Sequence, residues 1–230
     1  MCWNAPVSLI TFITSALMCL FLWYRNNSNN NDRALSIFIF WFSLMQLLEF
    51  FMWTAMQDHS FVSKLSLLAL HLQPFALVAG LYYYSLKAKS SVYKYSKLEK
   101  TILLGIAAFS LLKTISAANY AFITNTDTNW SSVKGPHCHL VWWFSRNAKK
   151  LPQLAQVNTL WGILLFAALA MIKPLKQMFV YLLLGLMGWA FTYIYYPKEI
   201  GSIWCWIANF MGMIAIAMPY AMPYAMRHLV

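Results

Sequence analysis

The chain has 230 residues, 61% of them apolar by type and only 10% charged, with a mean hydropathy of +0.56. A soluble domain carries about a quarter charged residues, so this chain holds too little polar surface for a water-facing globule. The formal charge of +11 does not point to nucleic acid, because such a domain gathers Lys and Arg on one face of a soluble fold; here they punctuate apolar runs, as at membrane boundaries.

The first apolar run, residues 6–24, holds no charged side chain and matches the roughly 20 residues a bilayer requires. The polar string from Arg25 to Arg33 follows it and reads as a solvated turn. No basic residue precedes the run and the positive flank comes after it, which predicts a signal anchor with its N-terminus outside rather than a cleavable signal peptide. The second run, 34–56, contains Gln46 and Glu49. The third, 61–86, carries His71, Gln73 and Pro74 near its middle and ends in Tyr82, Tyr83 and Tyr84, an aromatic belt at an interface. A loop with five lysines leads to the fourth run, 101–123, which contains Lys113.

The long connection 124–152 is polar at first and then aromatic at Trp142, Trp143 and Phe144. Runs 153–172, 175–196 and 200–222 complete the chain, separated by tight basic turns. Pro219 and Pro223 predict a bend or stop in the last, since proline lacks an amide donor and clashes with the preceding turn. The fold class is therefore all-α: an integral membrane bundle of about seven transmembrane helices forming one domain. With the N-terminus outside, ten Lys and Arg fall on the inner side and six on the outer, the sense of the positive-inside rule. The inner basic loops then face anionic lipid headgroups as candidate partners.

Glu49, His71, Lys113 and Asn209 do not belong in lipid: an ionisable group at mid-span costs roughly 2.5 to 3.5 kcal/mol and normally faces the bundle interior. At 1.5 Å per residue, Glu49 lies roughly 10 Å from the outer end of its span and the other three roughly 12 to 15 Å, which allows one shared layer. Gln46 and Glu49 share a face at i and i+3, as do Ser110, Lys113 and Thr114. This layer reads either as a proton relay or ligand site, with Glu49 supplying the countercharge for Lys113, or as a buried network that fixes helix positions. A retinal protein is excluded by placement, since the seventh run has no lysine.

Cys2, Cys138 and Cys205 fall on the outer side, and Cys2 with Cys205 is a candidate disulfide in an oxidising lumen, against the alternative of buried free thiols. Asn129, Trp130 and Ser131 form an N-glycosylation acceptor. His137, Cys138 and His139 are too close in sequence to converge on one ion, and no fourth ligand is evident, so no metal is expected. Gly185, Gly188, Ala208 and Gly212 permit close helix approach.

Several fragments taken together carry a resemblance: Met1-Cys2-Trp3 with Val7-Ser8 and Thr11-Phe12, Met45-Gln46 with Glu49 and Trp53, Gln73-Pro74, His139-Leu140 with Trp142, and the stretch from Gly201 to Trp206 with Asn209. They resemble a family of multi-pass membrane proteins, without an established activity, of giant DNA viruses and of some algae and other protists. The resemblance implies a viral membrane protein, inserted in host endomembrane or in the virion inner membrane. No cofactor and no catalytic residue are expected. A non-enzymatic membrane component ranks first, a transporter, channel or small-ligand receptor using the polar layer second, and an integral-membrane lipid enzyme third, because no nucleophile and base occur at useful spacing.

Overall fold

A computed structural model describes residues 4–25, 31–55, 59–88, 91–124, 129–147, 152–196 and 198–226, and within these the side chains at 31, 145, 152–159, 200, 205, 206, 208 and 219–226 lie outside the description. The chain is all-α, an integral membrane bundle. Its helices are α1 (Ala5–Tyr24), α2 (Asn31–Thr54), α3 (Ser60–Lys87), α4 (Lys97–Asn119), a short α5 (Trp143–Asn147), α6 (Pro152–Leu169), α7 (Leu175–Tyr195) and α8 (Ile200–Met226). Six stretches are long and apolar enough to cross a bilayer, in α1, α2, α3, α4, α7 and α8, and Leu160–Leu169 of α6 is a shorter apolar helix. The helices follow the predicted runs, displaced by a few residues at their ends.

The local chemistry accounts for several of those ends. Asn4 caps α1, its side-chain oxygen accepting from the Val7 amide at 3.1 Å, and Pro6 stands in the first turn, where no amide donor is needed. At α4, Ser96 and Glu99 exchange side-chain and backbone bonds as a capping box, which satisfies two of the amides a helix start leaves open. That places the true start four residues before the predicted run. At its other end α4 continues into a π-helical turn, Tyr120–Thr124.

Each helix turns its tighter residues inward. On α2 the buried set Leu35, Phe38, Phe42, Met45, Gln46, Glu49 and Met52 recurs every three or four positions, one face of a 3.6-residue helix. Helix α2 packs on α1, α3 and α8; α4 packs on α3 and α6; α7 lies between α6 and α8; and α8 closes the ring against α1. The glycines read as close-approach positions do this work. A Cβ at Gly188 would stand 2.8 Å from Ile207 of α8, and one at Gly212 would stand 3.2 Å from the Met18 side chain of α1.

Two expectations about polar segments are corrected. The string from Arg25 to Arg33 is not simply a solvated turn, because Asp32 is 3% exposed and is bonded at 2.7 Å by the Arg25 guanidinium. Arg25 also donates to the carbonyls of Ala215 and Ile216 at 3.0 and 2.9 Å. Nor does α8 end at its prolines, since its backbone is helical through Pro219 and Pro223 to Met226. The two facts are connected. Pro219 has no amide hydrogen, which leaves the Ala215 carbonyl, four residues earlier, without its helical donor. Arg25 supplies that donor, so the helix persists where propensity alone would break it.

At the same end of the bundle the α3–α4 connection is clipped to the α6–α7 turn. Lys173 donates to Glu99 and to the Lys94 carbonyl, each at 2.9 Å, and the Tyr95 hydroxyl donates to the Met171 carbonyl.

Candidate functional site

The long connection folds at the opposite end. Residues 129–147 make a two-stranded hairpin, β1 (Val133–Lys134) against β2 (Leu140–Val141), with Val133 opposite Val141, and run on into α5. Trp130, Trp142, Trp143 and Phe144 are all buried, so the aromatic stretch is a lid packed into the bundle. Trp130 stacks on Trp143 with centroids 4.0 Å apart, and the Lys64 ammonium lies 5.4 Å from the Trp130 ring, at cation–π range.

Hydrogen bonds at the starts of α3 and α8 hold the lid. The Trp130 amide donates to Ser60 Oγ at 3.0 Å, and the Ser132 amide to His59 Nε2 at 2.7 Å. His59 Nδ1 donates to the Ala55 carbonyl at 2.9 Å; with one nitrogen donating and the other accepting, the ring is the neutral Nδ1–H tautomer. On the α8 side Glu199, 1% exposed, accepts from the His137 amide at 2.9 Å and from His137 Nδ1 at 3.0 Å. Two glycines make room for these contacts. A Cβ at Gly135 would fall 1.9 Å from the Glu199 carboxylate, and one at Gly201 would fall 2.5 Å from the Trp142 ring.

Trp142 carries the lid into the membrane layer. Its indole Nε1 donates to Glu49 Oε1 at 3.0 Å, and Glu49 is 1% exposed. Glu49 lies five residues before the end of α2, roughly 8 Å below it at 1.5 Å per residue. Gln46 and Ser202 also stand beside the carboxylate, but among the described residues only Trp142 meets it with hydrogen-bonding geometry. Oε2 of Glu49 and both amide atoms of Gln46 and of Gln73 have no hydrogen-bond partner there. Glu49 makes no ion pair with any described residue. A buried carboxylate of this kind holds its charge only with a partner, and buried polar atoms as a rule are bonded, so the chemistry open to this site is acceptance of a proton, a cation or a polar donor.

The other members of the expected layer are distributed differently. Asn209 pairs with Ser15 of α1, whose hydroxyl donates to its Oδ1 at 2.5 Å, a bond that ties α8 to α1. His71 is buried, and its Nδ1 donates to the Leu67 carbonyl at 2.8 Å. Lys113 sits beside the buried Ser110, half-buried on α4, with its ammonium 5.7 Å from the Phe109 ring. It forms no ion pair with Glu49, because α4 packs on α3 and α6 while Glu49 is on α2. The expected countercharge is replaced by a single indole N–H from the lid. Trp142 as the partner of Glu49 is not readable from sequence; the one signal was the density of tryptophan in a connection that should otherwise be polar.

Cys138 is disulfide-bonded and Cys19 is free. In a chain of four cysteines a bonded Cys138 and a free Cys19 are at odds with the expected pairing of Cys2 with Cys205, whose side chains lie outside the described residues. Cys138 adopts φ 65°, a left-handed conformation uncommon outside glycine, at the tip of the hairpin. Asn129 is exposed at the start of the lid, and its side-chain oxygen accepts from the Ser131 amide at 3.0 Å. Among the described residues no group of three His, Cys, Asp or Glu side chains could hold a metal.

His139 is the lid's titrating group. Burial holds its pKa down at about 4 against an ordinary 6.5; the nearby Glu199 opposes that shift and His137 reinforces it. Between those two values the unfolded chain binds a proton that the folded lid refuses. The stabilisation is therefore complete above about pH 6.5 and is lost as pH falls toward 4, on the order of 2 to 3 kcal/mol. Limited proteolysis of the lid at pH 7 and pH 5 is expected to show faster cleavage at pH 5. His139→Phe is expected to flatten that difference, and an unchanged pH response in the variant would assign the effect elsewhere.

The class these elements define is a multi-pass helical membrane protein with a folded lid at one end. Compared with known proteins, the chain matches no family model, no curated protein sequence and no solved structure, so its function is read from its own geometry.

Proposed function

We propose that this chain is a non-enzymatic membrane protein that binds a proton, a cation or a small polar ligand at Glu49 and moves or senses it under control of the lid. One observation carries the reading: Glu49 is fully buried, has no cationic partner among the described residues, and is met by the lid's Trp142. An intramembrane carboxylate is expensive to keep and marks a pathway or binding site more often than a packing contact. Gln46 and Gln73 add polar atoms within the bundle that packing does not use. The lid places its contact on the carboxylate itself, which couples occupancy to opening: a proton or cation on Glu49 reduces its negative charge and so weakens its hold on the Trp142 N–H.

A packing-only membrane component is the second reading, favoured by the number of bonds that hold the lid closed. Reconstitution into liposomes with an internal pH dye separates the two. Wild type is expected to dissipate an imposed gradient of protons or of alkali cations, and Glu49→Gln to reduce that flux by at least tenfold while melting at the same or a higher temperature. The amide keeps the shape but removes an uncompensated charge, so a stability gain with a functional loss is the signature of a working site. Flux unchanged in Glu49→Gln excludes the transport form of the reading. A fall in stability with no flux in either protein supports packing alone.

A further inference from the structure

We infer that the end of the bundle opposite the lid carries a binding site for one anionic phospholipid, formed by two membrane-facing grooves on either side of a Trp23–Trp41 ridge. This goes beyond the Glu49 reading and does not depend on it.

A groove of about 540 Å³ runs between α1 and α2 and another of about 600 Å³ between α2 and α3; both are walled by Trp23, Ile37 and Trp41. The first is otherwise lined by groups such as Leu20 and Phe40, the second by Phe75 and Ala79. Paired apolar channels parted by one ridge suit the two chains of a diacyl lipid. Both reach the level where α1 and α3 end in Trp23, Tyr83 and Tyr84, the amphipathic rings that mark headgroup depth.

The charge at that level is positive and uncancelled. The exposed Arg33 places its guanidinium 5.8 Å from the Trp23 ring, and the exposed Lys87 places its ammonium 4.4 Å from the Tyr83 ring. Trp23 and Tyr83 both stand against the Tyr84 ring, at 6.2 and 5.0 Å, so the two cations border one aromatic cluster at the mouth of the grooves. Asp32, next to Arg33 in the chain, is buried and bound to Arg25; Arg33 and Lys87 donate to neutral acceptors, the Trp23 carbonyl and the Tyr83 hydroxyl, which leaves their charge to an outside anion. A phosphate with a further acidic group on its headgroup matches two flanking cations. A zwitterionic headgroup has no net charge and matches them less well.

The test uses the full chain in nanodiscs of equal phosphatidylserine and phosphatidylcholine, transferred to detergent and examined by native mass spectrometry. Wild type is expected to retain one phosphatidylserine in preference to phosphatidylcholine by on the order of tenfold, as two basic side chains near a lipid surface would give. Arg33→Gln with Lys87→Gln is expected to bring the ratio close to one. Lys97→Gln with Lys100→Gln, on the same end but away from the grooves, is expected to leave it. Ala79→Phe, which fills the larger groove, is expected to remove the retained lipid at an unchanged melting temperature. Equal retention of both lipids by wild type overturns the site, as does a preference that survives loss of Arg33 and Lys87. An equal effect of the Lys97 and Lys100 pair reduces it to general surface charge and overturns it too.

Discussion

Arg25→Ala is expected to destabilise the bundle by about 3 to 5 kcal/mol, the range for removing one partner of a buried ion pair. The substitution strands Asp32 at 3% exposure and at the same time returns the Ala215 carbonyl to the condition Pro219 imposes. Asp32→Asn leaves the buried Arg25 guanidinium without its carboxylate, but its bonds to the Ala215 and Ile216 carbonyls remain, so it is expected to cost less. The double variant Arg25→Met with Asp32→Leu separates the two roles. Replacing a buried pair by apolar groups of similar size is often neutral, so the cost that remains, about 1 to 3 kcal/mol for one unsatisfied group, reports the carbonyl alone. Thermal melts of the four proteins in one detergent give these differences. If the double variant is as unstable as Arg25→Ala, the pair is not the origin of the loss; if it equals wild type, the carbonyl bond contributes nothing.

Trp142→Ala is the second large effect expected. Trp142 is 1% exposed, and truncating a buried tryptophan costs about 3 to 5 kcal/mol. It would also uncover Glu49. Trp142→Phe keeps most of the ring volume and loses the N–H, so its cost should fall near the 1.5 to 3 kcal/mol of a bond to a charged group, or about 1 kcal/mol if the carboxyl is neutral. A double-mutant cycle of Trp142→Phe with Glu49→Gln measures the contact directly: residues in contact couple by about 0.5 to 3 kcal/mol. Additive losses would show that the 3.0 Å bond is energetically silent. Protease access to the lid should increase in the order wild type, Trp142→Phe, Trp142→Ala.

Much of the fold was legible because a bilayer imposes one test, an uninterrupted apolar run of sufficient length, and six of the seven runs pass it among the described residues. The expected layer of Glu49, Lys113 and Asn209 came from the same kind of reading, since rise per residue converts position into height along a helix. Height says nothing about neighbours. Glu49 and Lys113 lie on α2 and α4, and α3 packs against both, so their expected pairing rested on a coordinate the sequence does not contain. The Asn209–Ser15 bond, 194 residues apart in the chain, was hidden by the same gap. The lid was hidden differently. Tryptophan is at home at a membrane interface and in a core alike, and only the packed structure separates Trp142, buried on a carboxylate, from Trp189, 39% exposed. Asp32 was read as solvated because its neighbours in sequence are polar, while its burial comes from Arg25 and the distant α8.

The closure of the ring by α8 has a consequence for biogenesis. Arg25 emerges early in synthesis, yet the carbonyls it serves lie 190 and 191 residues later. Until α8 is inserted, the first helical hairpin carries a guanidinium whose final acceptors do not exist. Arg25 has its Asp32 partner within the first hairpin, but its full set of acceptors is complete only once α8 stands beside α1 and α2. A nascent chain stopped before α8 should be a substrate for membrane quality control, and release from it should coincide with arrival of the proline-bearing turn.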